Sequence, residues 1–98
     1  MALEINPKRL MSRIETMASF NATPGEGVTR FSYSAQDIKA REYLAGLFRE
    51  AGLEAVTDGV GNIRARLAGA SEDAPSVMSG SHIDSVLHGG MYDGIVGT

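Results

Sequence analysis

Cysteine is absent from this 98-residue sequence, and that absence removes several chemistries at once. Disulfide staples, thiolate zinc sites and cysteine nucleophiles are all excluded. Small secreted domains often depend on disulfides, so a chain of this size without them fits a reducing compartment. Long apolar runs are also missing. No window approaches the roughly 20 apolar residues of a membrane span. The opening stretch MALEINPKRLMSRIE is charged and lacks the apolar core of a secretory signal. The chain therefore reads as cytoplasmic and soluble, with no membrane partner. A basic excess is lacking as well: the formal net charge is −3, against the positive surface that phosphate neutralisation demands. Nucleic acid is not an expected partner. The 43% hydrophobic and 21% charged content falls in the ordinary globular range, which argues against disorder.

What is present divides into a helical half and a strand half. Asn6-Pro7 is a helix start, because Asn caps free N–H groups and Pro suits the first helical position. Leu10, Ile14, Met17 and Ala18 recur at helical spacing, so a first helix is predicted to run to about Ser19. Residues Phe20 to Tyr33 contain NATPGEGVTR, whose Pro and Gly residues mark a loop. It is long for a simple connector, which favours a functional or partner-contacting loop. Ser34 followed by Asp37 resembles a capping box. Ala40, Leu44, Leu47, Phe48 and Ala51 form the apolar stripe of a second helix, and Gly52 ends it as a left-handed cap. Leu53 to Val56 is a short strand candidate. Asp58-Gly59 and Gly61-Asn62 are turn signals. Ile63, Ala65 and Leu67 alternate with Arg64 and Arg66 and read as a half-exposed strand over 62–67. Ser76 to Ile83 is mostly small or apolar and reads as a buried strand. The fold class is α/β, with two helices packed on the start of a mixed sheet.

The chemistry concentrates in GSHIDSVLHGGMYDGIVGT. His82 and Asp84 lie two apart at the end of the third predicted strand, and side chains two apart on a strand share a face. A metal-binding imidazole usually gives its other ring N–H to a carboxylate or carbonyl. Ligands in open α/β sheets collect beyond the carboxyl ends of strands. Asp93 follows eleven residues after His82 among glycines, and such a loop can fold back to bring Asp93 beside His82. One carboxylate can bridge two ions about 3.5–4 Å apart. His-x-Asp alone is a weak signal. His-x-Asp, then Gly-Gly, then Asp-Gly and another Gly after a buried strand points to a metal site.

That string resembles the first metal-binding motif of the M20 metallopeptidase family. It is similar in particular to the hydantoinase/carbamoylase branch, which holds N-carbamoyl-L-amino-acid hydrolases and allantoate amidohydrolases. Phe20, Thr23-Pro24-Gly25 and Gly27-Val28-Thr29-Arg30 resemble the N-terminal loop of that branch. Ala40-Arg41-Glu42-Tyr43-Leu44 and Glu50-Ala51-Gly52-Leu53 resemble its second helix, and Asp58 with Gly61-Asn62 resembles the strand that follows. The GVTR segment favours this branch over the family's aminopeptidases and deacetylases. The resemblance implies the N-terminal part of a zinc-peptidase-like catalytic domain, with the sheet incomplete over residues 1–98. It implies that His82 ligates a metal, that Asp84 orients His82 without binding metal, and that Asp93 bridges two divalent ions of zinc, manganese or cobalt. The implied activity is metal-dependent hydrolysis of a carbamoyl or amide C–N bond in a small N-carbamoyl amino acid or ureido acid. A homodimer is implied for the full-length form.

The family's general base, its further carboxylate and its two further histidine ligands match nothing before Thr98. The chain is therefore expected to be a fragment, inactive by itself. His88 stands where the reading is divided between a substrate contact and a solvated loop histidine, with the second favoured. Arg30 is divided between an anion contact and a loop salt bridge. Glu26 has nothing in its context to support metal ligation. Two rival functions remain beside the carbamoylase: an aminopeptidase or deacylase of the same family, and a non-catalytic binding or dimerisation module.

Overall fold

The computed structural model of the protein describes residues 2–98. Helix α1 spans Pro7–Ser19 and begins where Asn6 places its side-chain oxygen 3.0 Å from the Arg9 amide. Pro7 occupies the first turn, where its missing N–H is no loss. The helix closes with the Phe20 amide donating to the Met17 carbonyl. Its buried face is Ile14 and Met17. Helix α2 spans Ala35–Glu50. The Asp37 amide donates to the Ser34 hydroxyl, and the Asp37 carboxylate accepts from the Tyr33 amide, so the two side chains cap one helix end reciprocally. The other end is a Schellman turn. Gly52 adopts φ 79°, its amide donates to the Arg49 carbonyl and the Leu53 amide to the Phe48 carbonyl.

Strand β1, Glu54–Thr57, pairs antiparallel with strand β2, Ile63–Arg66, in the register Glu54↔Arg66, Ala55↔Ala65, Val56↔Arg64 and Thr57↔Ile63. Asp58 organises the turn. One carboxylate oxygen accepts from the Val60 and Asn62 amides and the other from the Asn62 side-chain amide. These bonds hold the Asp58 carboxyl below the usual carboxylate range, the Asn62 side chain contributing most. Gly61 supplies the positive φ, 94°, that the turn requires. Arg41, from α2, donates to the Gly61 carbonyl. The expected alternation holds for Ile63 and Ala65 against Arg64 and Arg66, but the strand stops there and Leu67 is 80% exposed.

The third expected strand does not form. Residues 76–83 carry no ladder pairing, and the sheet is the antiparallel pair β1-β2 alone among the described residues. Val77 and Met78 are fully or nearly fully exposed, and burial within this stretch is confined to Ile83. An apolar segment becomes a buried strand only where neighbours satisfy its amides and cover its side chains. No described strand does so here.

The described chain divides into two compact units. One contains residues 2–40 and 80–98, the other residues 41–79. The core of the first is Ile14, Met17, Val28, Ala40, Ile83 and Ile95, with the buried polar residues Thr29, Arg30 and Asp37. Within it α1 packs on the short 3-10 turn Ile95–Gly97. The second is the tail of α2 with the β1–β2 hairpin. Among the described residues no helix is long and apolar enough to cross a membrane.

Candidate metal centre

The first unit is assembled by its polar loop residues. Asn21 folds the 20–30 loop on itself: its side-chain oxygen accepts from the Thr23 and Thr29 amides, and its side-chain amide donates to the Gly27 carbonyl. The loop then meets residues 85–89. Val28 and Gly89 exchange both main-chain hydrogen bonds, at 2.8 and 2.7 Å. The Thr29 hydroxyl accepts from the His88 amide. The approach is close enough to demand glycine. A Cβ on Gly27, at φ 75°, would lie 2.7 Å from the His88 carbonyl carbon and oxygen.

Arg30 lies at the centre of this junction and is 2% exposed. Its Nε donates to the Ile83 carbonyl at 2.8 Å, and its Nη1 to the Met17 and Phe20 carbonyls at 2.7 and 3.0 Å. Burial lowers the guanidinium pKa from its ordinary value, against the opposing pull of the Asp37 and Asp84 charges. The anion contact and the loop salt bridge considered for Arg30 are both displaced by this geometry, in which the side chain is a buried tie to three main-chain oxygens. Such partners leave no mark in the sequence, since every residue has a carbonyl.

His82 and Asp84 come together as the spacing suggests. His82 Nδ1 lies 3.0 Å from the Asp84 carbonyl oxygen and 3.3 Å from the Asp84 carboxylate. Both partners are acceptors, so Nδ1 donates the proton and the lone pair of the neutral ring lies on Nε2. The pair is half exposed, 53% for His82 and 47% for Asp84, so solvent screens its Coulomb attraction. The loop carrying Asp93 also folds back to His82. A Cβ on Gly94, at φ 74°, would stand 2.5 Å from His82 Nε2 and 2.8 Å from its carbonyl oxygen. The missing side chain of Gly94 is what lets the imidazole edge sit against the main chain next to Asp93. Further bonds fix the loop: Ser81 Oγ and Thr98 Oγ1 donate to the Gly94 carbonyl at 2.7 and 3.1 Å.

His88 sits apart from this pair in the loop junction. Its Nε2 lies 3.7 Å from the Glu26 carboxylate, both side chains are largely solvated, and its backbone adopts φ 52°. Among the described residues no three His, Cys, Asp or Glu side chains gather to hold a metal ion. The donors fit part of such a site by their chemistry. Nδ1 is anchored, Nε2 is free, and a carboxylate lies one residue from the glycine against the ring. They fall short of the four ligands typical of a closed zinc site. Asn21, Thr29 and Ser85 build the junction and were not foreseen from the sequence. The one hint was their small polar side chains beside glycines.

No family model matches the chain. Individual relatives do. A ureidoglycolate hydrolase of Arabidopsis thaliana is 38% identical over 96 residues, covering 98% of this chain and 20% of that protein. An N-carbamoyl-L-amino acid amidohydrolase of Geobacillus stearothermophilus is 40% identical over 93 residues, covering 95% of this chain and 23% of that protein. The backbone superposes on the crystal structure of a hydantoinase/carbamoylase family amidase from Burkholderia ambifaria with a TM-score of 0.91 at 39% identity, covering 99% of this chain and 24% of that one. The relatives are thus hydrolases of the amidohydrolase class. Along nearly its whole length the chain is similar to hydantoinase/carbamoylase amidases, and it spans about a fifth of the length of the relatives it matches.

Proposed function

We propose that the protein is a metal-dependent amidohydrolase that cleaves a carbamoyl or ureido C–N bond in a small carboxylate-bearing molecule, and that residues 1–98 form part of its one catalytic domain. The observation that carries the reading is the His82 imidazole. It is pinned at Nδ1 by Asp84, with Nε2 against Gly94, the residue that follows Asp93 in the chain. The likeness to relatives that include a ureidoglycolate hydrolase and an N-carbamoyl-L-amino acid amidohydrolase supports the bond class.

In this reading His82 Nε2 and the Asp93 carboxylate are the metal donors this stretch contributes, and Asp93 has the second oxygen a shared ligand needs. Two divalent ions of the zinc, manganese or cobalt kind, when bound, polarise a carbonyl and activate water. The chain's own task is orientation. Asp84 holds the Nδ1 proton, which fixes tautomer and ring plane and leaves the lone pair on Nε2. Gly94 keeps the approach to Nε2 clear of a side chain. The protein works as a homodimer on a diffusible small molecule, and the stretch 1–98 alone, having two donors, does not turn over substrate.

The test is ammonia release from ureidoglycolate, allantoate and N-carbamoyl-L-amino acids by the full-length protein with manganese added. His82→Ala and Asp93→Ala reduce hydrolysis to background, and Asp84→Asn reduces it by about 10- to 100-fold. Hydrolysis that survives in both alanine variants removes the metal assignment. A metal-loaded wild type inert on all three substrate classes turns the reading toward a non-catalytic module.

A further inference from the structure

Asp84 orients His82 through two acceptors, its side chain and its own carbonyl, and the carbonyl is the nearer of the two. A carbonyl can orient an imidazole only if its peptide plane is itself held. Asp84 is flanked by two peptide units, and one residue holds both. In the unit after Asp84, the Ser85 amide donates to the Arg30 carbonyl at 2.8 Å. Amide N–H and C=O point in opposite directions across a trans peptide, and no cis peptide is present. Anchoring the Ser85 N–H on one side therefore aims the Asp84 C=O out the other side, at His82 Nδ1. In the unit before Asp84, the Ile83 carbonyl accepts from Arg30 Nε at 2.8 Å.

The remaining Arg30 bonds set where that grip is applied. Nη1 reaches the Met17 and Phe20 carbonyls at the end of α1, so the planar guanidinium spaces the helix end from Ile83. The Arg30 amide donates to Ser85 Oγ, which in turn donates to the Val28 carbonyl. Arg30 and Ile83 are buried while His82 and Asp84 are half exposed, the alternation of an extended segment. The Asp84 charge is also felt at Arg30. Residues 76–82, just before, have no ladder to hold them. The orientation of His82 is thus imposed from residue 30 and not from a neighbouring strand.

We propose that Arg30 is a positioning residue for the His82–Asp84 pair: its side chain and its main chain together lock the two peptide planes flanking Asp84, and this lock selects the His82 tautomer that leaves Nε2 free. The catalytic consequence rests on the metallohydrolase reading above; the orientation itself does not. Arg30→Met keeps the volume and removes the guanidinium bonds. Arg30→Lys keeps the charge but cannot span Ile83 and the helix end with one fork.

The deciding measurement is the imidazole nitrogen NMR spectrum of metal-free full-length protein, wild type against the two variants. Wild type shows His82 as one tautomer, protonated at Nδ1. Arg30→Met shows tautomer exchange, and Arg30→Lys lies between. In turnover, Arg30→Met lowers kcat by about 10- to 100-fold with KM held within about twofold, the pattern of misaligned groups. A general loss of folded protein would instead scale the amplitude and leave the His82 spectrum of the folded fraction unchanged. A folded Arg30→Met with the wild-type His82 spectrum overturns the proposal. If Arg30→Met does not fold, a wild-type His82 spectrum in Arg30→Lys does the same. The spectrum requires no substrate, so a protein that hydrolyses nothing defeats the functional reading while the spectrum still decides the role of Arg30.

Discussion

The two compact units are held by opposite means. Residues 41–79 are held locally. The hairpin ladder pairs residues six apart at its inner end, Thr57 with Ile63, and twelve apart at its outer end, Glu54 with Arg66, on either side of the turn that Asp58 organises. Residues 2–40 and 80–98 are held by bonds between chain segments more than 50 residues apart, such as Arg30 to Ile83, Ser85 to Val28 and His88 to Thr29. The local unit has a single turn residue, Asp58, at its centre, and it stays exposed to solvent. The non-local unit buries Arg30 and Thr29 and carries the candidate site. A half-exposed site gains rigidity when the atoms beneath it are buried and cross-tied, and a hairpin turn offers no such foundation.

That contrast can be sharpened by substitution, and the largest effect is expected at Gly27. Its Cβ would meet His88 backbone, which cannot swing aside as a flexible side chain can. Gly27→Ala should destabilise the non-local unit by about 2–4 kcal/mol, from steric overlap plus an alanine at positive φ. Amide exchange at Val28 and Gly89 is the readout, and wild-type protection there would falsify the close approach. Thr29→Val comes next. It strips the hydroxyl from the His88 amide and from Thr23 Oγ1, at a cost of about 1–3 kcal/mol for the polar groups left unmet. Denaturant unfolding followed at residues 20–30 measures it.

In the local unit the expected effects are smaller. Gly52→Ala places a side chain at φ 79° with open space around it, so the cost is conformational alone, about 1 kcal/mol. A drop in protection at Leu53 is the check. Smallest is acidification. The Asp58 carboxyl titrates below its ordinary value, so it favours the folded hairpin above the unfolded-state pKa, and that contribution is lost as pH falls below about 4. Exchange at the Val60 and Asn62 amides, corrected for intrinsic rates, should rise in that window and not above it. Equal sensitivity at Val28 and Gly89 would break the distinction between the units.

The same division governs what was readable beforehand. Asn6-Pro7, the Ser34/Asp37 cap, Gly52 and the Asp58–Asn62 turn all act within a few residues of themselves, and each was found where the sequence put it. His82 with Asp84 is local too, and its contact was foreseen. The fold-back of the Asp93 loop was anticipated from its glycines, and Gly94 gives the physical reason. The failures are non-local. Ser76 to Ile83 has the composition of a buried strand, but composition states a need for neighbours and does not supply them. In the sequence Arg30 reads as a charged group seeking charges, whereas its partners are carbonyls of residues 17, 20 and 83.

The distance between Arg30 and Ile83 also has a consequence in time. They are 53 residues apart in the chain. At ordinary translation rates the ribosome needs roughly 3–10 s to deliver the second after the first. Through that interval the guanidinium is synthesised, its helix-end carbonyls are at hand, and its remaining partner does not yet exist. The hairpin can close as soon as its own residues emerge, while the segment bearing His82 follows it out and finds its place later than the hairpin. Slowing or pausing synthesis after residue 79 would therefore lengthen the life of a nascent chain with a formed hairpin and an unassembled site.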